Sequence, residues 1–574
     1  MGLQPSHLAK GLCCVTPTKS AAFRPLDEVA GGGGFCCSTS RGLDDDGAGF
    51  AAHVWRGVGL PGFVFPELRN DSDGVKSVKD KPDFAICVSG GGMRATTCAL
   101  GWLRALFHFG FLQKARYLCS NSGGSWINLA MSFQKMVPLE VFLGRYIPPE
   151  KLTPEEASML VEGSYSETVA DADFIIGNFV RGIVCDVFTT PDWLPDELVE
   201  DWRKVRSWER AVGHAFLDRY ELGDLDAAVG LSGRTQNVEA TGVPGVHTAC
   251  DDSRLPFPVV VGSIVVPNKD HLFHSFEFTP IYSGVPAYID NDDVKLGNVL
   301  VETFALSSTA PDPPKTRPQV GQKETIPLNI QWIPPLSQIA GISSAFIAQV
   351  YANATANGLW DIMGCPEMTY WNGIDHTHEV YPFADGGGTD NLGLYPPLRR
   401  KTKKILVGFA TGQHPDDDKW AADFYDMSGY FGAVPEKTVF STAMGEVSAG
   451  PWNQACQVFE KHKFQELIDE LVRKKHAGEP LAVRQTLRVL PNSWQGITEG
   501  YTVEVLWLVN GGEKKWLQQV PPDTRDMIQE KMPNFPYFSV MQVDYDPEEV
   551  SCLSNLAAWN IHQVQKDLRS FVEG

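Results

Sequence analysis

The stretch "ICVSGGGMRATTCALGWLRALFHFGFL", residues 86–112, decides the reading of this chain. A short apolar run meets three consecutive glycines and an arginine, and a helix-length run of aliphatic and aromatic residues follows. Glycine is the default residue wherever backbone must bend sharply or be approached closely, and three in a row cost chain entropy. Three guests fit such a turn: a phosphate, a developing oxyanion, or simply another part of the backbone.

The pattern repeats a few residues on. "RYLCSNS" (116–122) reads as a strand and "GGSWINLAMSFQKM" (123–136) as a helix, so strand, turn and helix occur twice in succession. That alternation predicts an α/β unit with a parallel sheet. Ser122 stands at the second turn with Ser120, Gly123 and Gly124 around it. Small residues at a strand-to-helix turn are what a nucleophile elbow requires, where the turn lifts a serine oxygen to the top of a sheet. The helix start would turn amides such as that of Gly123 towards developing negative charge. Ser120 stands where the usual elbow has glycine. A third glycine cluster, "FADGGGTDNLGLYPPLRR" (383–400), places Asp385 after a short apolar segment. Alone it reads equally as an ordinary Asp-Gly turn.

Taken in order, "SGGGMRA" (89–95), "SNSGGSW" (120–126) and "ADGGGTDNLGLYP" (384–396) resemble the motifs of the patatin-like and cytosolic phospholipase A2 family. "FEFTPIYSG" (276–284) is similar to a segment of the cytosolic phospholipase A2 branch. The resemblance covers about residues 81–411. It implies an α/β fold: a three-layer patatin-like sandwich, of the kind seen in acyl-protein hydrolases, with a central, mostly parallel sheet and a lid insertion. It also implies a Ser122–Asp385 dyad, an oxyanion hole from Gly90, Gly91, Gly92 and Gly123, and Arg94 near a lipid phosphate. The chemistry is coherent, because a carboxylate in a water-excluded site can take the serine proton and preorganised amides can hold the oxyanion. A histidine triad is the competing arrangement. His414, His462, His476 and His562 all follow Asp385, but none has a recognisable loop context, so the dyad is favoured.

The expected activity is therefore cleavage of carboxylic esters of glycerophospholipids through an acyl-serine. The alternatives are a catalytically impaired lipid-binding protein, a lysophospholipase or neutral-lipid esterase, and an acyltransferase. The expected partner is a phospholipid or membrane surface, with no cofactor, no metal and no calcium dependence implied.

Bulk properties frame this reading. The chain has 574 residues, 43% hydrophobic and 21% charged, with a formal charge of −21. Such acidity argues against nucleic acid as a partner. The 12 cysteines form no CxxC pair. They read as buried reduced thiols in a cytoplasmic protein, and the expected lipid substrate adds peripheral membrane association to that expectation. No run of 18 apolar residues suggests a spanning helix. Residues 1–80, rich in Gly, Ser and Asp, are expected to be disordered, and 81–574 to form the catalytic domain. "MGLQPS" fits N-myristoylation at Gly2, with Cys13 and Cys14 placed for a second acyl chain. A plain disordered or targeting leader is the other reading. The acidic, helix-leaning stretch of about 137–255 is expected to be a lid insertion. Its aromatic piece at 172–195 suits either a cover or core, and the Pro-rich piece at 310–325 reads as a loop.

Overall fold

Two short runs with no polar side chain in the first and only two in the second form the middle of the sheet. Phe84–Val88 (β2) and Tyr117–Asn121 (β3) are buried along their whole length, as expected for strands covered on both faces. The computed structural model describes residues 50–172, 207–249, 254–309, 320–345, 367–374, 377–413, 425–442 and 444–574. Gly2, Cys13, Cys14, the aromatic piece at 173–195 and the loop at 310–319 lie outside them.

In chain order the remaining sheet strands are Phe50–Arg56 (β1), Phe257–Ile264 (β4), His274–Phe278 (β5), Tyr282–Gly284 (β6), Val299–Glu302 (β7) and Ser307–Thr309 (β8). Lys323–Trp332 (β9), Lys404–Phe409 (β11), Leu481–Val489 (β12) and Tyr501–Val509 (β13) complete the path, while His378–Asp385 (β10) lies off it, paired with β4 and with Glu367–Trp371. The spatial order is β8-β9-β1-β7-β6-β5-β4-β3-β2-β11-β13-β12. Its centre, β4-β3-β2-β11-β13, is parallel throughout. Both wings are antiparallel: β5 to β9 with β1 on one side, and β12 on the other. The expected α/β architecture with a parallel sheet around the site is what forms, with helices on both faces. The antiparallel wings extend it.

One feature of the register positions the site. Along a single edge of β4, β3 pairs as far as Asn121 opposite Val261. From the next residue on, β10 takes over that same edge, with Asp385 opposite Gly262. β3 runs parallel to β4 and β10 antiparallel, so their C-terminal ends meet head to head.

The sheet is covered by Gly92–His108 (α1), Gly123–Phe133 (α2), Leu336–Ser343 (α3) and Pro547–Gln563 (α4). In α1 and α2 nearly every side chain is buried. A reciprocal capping box starts α4: Asp546 accepts from the Glu549 amide at 2.8 Å and Glu549 accepts from the Asp546 amide at 3.0 Å.

The expectation of disorder through residue 80 fails for residues 50–80. β1 pairs with β7 on one side and β9 on the other, and Ala52, Val54 and Trp55 are buried. Averaged composition hid a short, mostly apolar strand, "FAAHVWR", behind the glycines that precede it. The charged run at 399–404 also holds a surprise. Arg399 and Arg400 turn inward and pair with Glu277 of the "FEFTP" segment at 2.7 and 2.8 Å. Within 137–255 the described parts include Ser207–Phe216, whose Phe216 ring stacks on Trp126 of α2 with centroids 4.2 Å apart. The described cysteines Cys87, Cys98, Cys119, Cys456 and Cys552 are free and buried.

Candidate active site

Ser122 leaves β3 and caps α2 with φ 49° and ψ −126°. A residue with a Cβ is disfavoured there by about 1–3 kcal/mol, so the surroundings must hold it. They do so through Ser343 at the end of α3. Its carbonyl oxygen and its Oγ both accept from the Ser122 amide, at 3.1 and 3.0 Å. Ser343 Oγ in turn donates to the Val261 carbonyl at 2.7 Å, tying the turn to β4.

Glycine is obligatory on the facing side. A Cβ on Gly123 would lie 2.1 Å from the carbonyl oxygen of Gly92. Gly91 and Gly92 have φ of 129° and 59°, which side chains rarely adopt. The two strand-to-helix turns are thus pressed together, with the starts of α1 and α2 side by side. Among the described residues the amides of Gly91, Gly92 and Gly123 donate to no protein group. Gly90 differs from its sequence-based assignment as an oxyanion donor: its amide donates to the Asn391 carbonyl at 2.8 Å.

The head-to-head ends of β3 and β10 bring Asp385 to Ser122. Both are buried, with Ser122 6% and Asp385 3% exposed. Asp385 Oδ1 accepts from the Gly387 amide at 2.6 Å and, at a long 3.4 Å, from Asn121 Nδ2. Among the described residues its Oδ2 has no hydrogen-bond partner. Burial pushes the carboxyl up to about 6, against the downward pull of the Gly387 amide, the Ser122 hydroxyl and Asn121, while the charge of Asp426 adds to the rise. A carboxyl held near neutrality can take and return a proton at physiological pH.

Ser120 does not disturb this turn. Its hydroxyl points into the core, accepting from Asn128 Nδ2 at 2.8 Å and bonding Ser125 Oγ at 3.0 Å. The histidines stay away. His462 and His476 are exposed on the helix His462–His476, and His562 stacks on Tyr146 with centroids 4.1 Å apart. None of these three bonds to Asp385, and His414 lies outside the described residues.

Arg94, on the first turn of α1, is buried. Its Nε donates to the Ala410 carbonyl at 3.1 Å and its Nη1 to the Phe538 carbonyl. Nη2 lies 2.7 Å from where a Cβ on Gly91 would stand, so that glycine also makes room for the guanidinium. Arg94 lines a cavity of about 550 Å³ with Asn391, Thr411, Asp426, Phe440 and Tyr537. Ser122 is not among the lining residues. The link is Asn391, whose carbonyl holds Gly90, whose Oδ1 accepts from Asn121 at 3.2 Å, and whose Nδ2 donates to Asp426 at 2.9 Å.

Sequence reasoning missed Asn121, Ser343 and Asp426. Asn121 was visible only as part of the serine turn, with no role assigned to it; Asp426 sits in an unremarkable local context, and Ser343 lies in "GISSAF" with no motif to mark it. Asn391 was visible only as part of the third glycine cluster.

No family model matches the chain. Among solved structures it is similar to human GIVD cytosolic phospholipase A2, with a TM-score of 0.45 and 14% identity over 88% of this chain and 61% of that one. The same human protein in complex with methyl gamma-linolenyl fluorophosphonate and terbium chloride gives a TM-score of 0.39 and 14% identity, covering 88% of this chain and 60% of that chain. Its complex with methyl gamma-linolenyl fluorophosphonate gives 0.36 and 14% identity, covering 87% and 62%. This chain therefore spans about three-fifths of the length of each of those structures.

Proposed function

We propose that the chain is a serine acyl hydrolase that cleaves carboxylic esters of glycerophospholipids. The observation that carries the reading is the juxtaposition of Ser122, in a strained elbow conformation, with a buried carboxyl raised to about 6. Asp385 takes the proton of Ser122 Oγ as that oxygen bonds to the ester carbonyl carbon. The oxyanion is held by the amides of Gly91, Gly92 and Gly123. The C–O bond to the glycerol oxygen then breaks, and protonated Asp385 returns its proton to that leaving oxygen. Water, activated by Asp385, attacks the acyl-Ser122 and releases the fatty acid. Arg94 holds the lipid phosphate through its Nη2, which among the described residues donates to no protein group, and an arginine suits that role because its donors are fixed in a plane.

The impaired, lipid-binding alternative drew on Ser120. The bonds of Ser120 to Asn128 and Ser125 weigh against it, since the side chain is absorbed without relaxing the elbow. We assign the catalytic domain to the chain from β1 onward, with part of 137–255 as a cover over the acyl chain, and peripheral contact with a lipid surface. The test is mass spectrometry after treatment with a long-chain fluorophosphonate, beside Ser122→Ala and Asp385→Asn. A single adduct on Ser122, lost in both variants, is expected. A folded protein with no adduct would overturn the hydrolase reading.

A further inference from the structure

The cavity beside the glycine turn carries two opposite charges that do not neutralise each other. Arg94 and Asp426 both line it, and each is felt electrostatically by the other. Yet among the described residues they form no ion pair, and each is anchored elsewhere. Arg94 is held by two backbone carbonyls, and Asp426 by Asn391 Nδ2 at 2.9 Å. A cation and an anion that line one cavity without pairing match a guest that carries its own separated anion and cation. Phe440 and Tyr537 are also among the lining residues, and aromatic rings favour a methylated ammonium.

We infer that Asp426 is a specificity-determining residue that receives the ammonium of a zwitterionic phospholipid head group while Arg94 holds its phosphate. This deepens the proposed function and rests on its placement of the phosphate. The same carboxylate discriminates against a head group that ends in hydroxyls or a second negative charge. Those leave Asp426 without a cationic partner or repel it, and selectivity built this way uses both attraction and repulsion. Asn391 links this site to the chemistry, because one residue fixes Gly90, Asn121 and Asp426 together.

The experiment measures calorimetric binding of two soluble diether lipids that cannot be hydrolysed, 1,2-di-O-hexyl phosphocholine and 1,2-di-O-hexyl phosphoglycerol. Wild-type protein is compared with Asp426→Asn, which keeps an acceptor for Asn391 and removes the charge. The wild type is expected to prefer the phosphocholine by about tenfold or more, and the variant to bring the two within about twofold. If Asp426→Asn melts too low to assay, Asp426→Ser reads the same ratio. Equal wild-type affinities, no binding of either probe, or a ratio unchanged by the variant would overturn the inference. Fluorophosphonate labelling separates the two readings. Labelled Ser122 without head-group discrimination leaves the hydrolase and removes this site. Asp426-dependent discrimination without labelling keeps the site on a protein that only binds lipid.

Discussion

Ser343 grips the backbone of Ser122 twice, through its carbonyl oxygen at 3.1 Å and its Oγ at 3.0 Å, and α3 thereby holds the turn that ends β3. The side-chain half of that grip is removable. Ser343→Ala gives up about 1 kcal/mol of hydrogen bonding directly and frees the elbow to relax from φ 49°. Fluorophosphonate labelling of Ser122 should slow by about tenfold, since 1.4 kcal/mol of lost positioning is one decade. The melting temperature should fall by only a few degrees. Labelling at the wild-type rate would mean that the remaining carbonyl contact suffices.

Gly123→Ala meets backbone. The new methyl would stand 2.1 Å from the Gly92 carbonyl oxygen, which no side-chain rotation relieves. Both turns would have to separate. The expected result is loss of Ser122 labelling together with a clear drop in melting temperature. Gly450→Ala is the matched control, because nothing lies within 4 Å of the added methyl.

The raised carboxyl of Asp385 makes two opposite pH dependences. As the base it must be ionised, so kcat/KM should fall as pH drops through about 6. Asp426→Asn removes a neighbouring negative charge that raises Asp385, so this acid limb should move to lower pH. Stability runs the other way. A carboxyl held at about 6 in the fold against an ordinary 3.8 costs the folded state about 3 kcal/mol above pH 7, and nothing once both states are protonated. Asp385→Asn should therefore raise the melting temperature at pH 8, with the gain vanishing towards pH 4. An unchanged melting curve at pH 8 would contradict the raised value.

Arg94→Ala separates phosphate binding from scaffolding. Removing the guanidinium should lower phospholipid turnover by about 100-fold and hydrolysis of an uncharged long-chain ester by less than tenfold, since a charge-assisted contact contributes about 1.5–3 kcal/mol. Equal losses on both substrates would reduce Arg94 to its bonds with Ala410 and Phe538.

What was legible in the sequence was local. An apolar run leading into a glycine turn marked β2, and "RYLCSNS" marked β3 within one residue of its observed ends. The strained serine could be read because small residues at a strand-to-helix turn are a local requirement. What could not be read is whatever a distant strand decides. Ser122 and Asp385 meet only because β3 and β10 share one edge of β4, and register of that kind leaves no trace in either segment alone. Ser343 and Asp426 were hidden for the same reason, as was the spent amide of Gly90. The misreading of residues 50–80 came from averaging seven strand residues into a long glycine-rich neighbourhood.

Glu67 lies in that misread segment, and its carboxylate is fully buried between two tyrosines and an arginine. Oε1 pairs with Arg400 at 2.8 Å and accepts from Tyr117 at 3.1 Å, while Oε2 accepts from Tyr282 at 2.9 Å. Two strands, β3 and β6, and the end of the helix Tyr395–Arg399 therefore close around a side chain supplied from before β2. A protease cutting between β1 and β2 would withdraw it from a guanidinium already out of reach of water, a loss of about 3–5 kcal/mol. What looks in composition like a shed leader is thus, from residue 50 on, the segment that supplies the counter-charge to an arginine buried beneath the sheet.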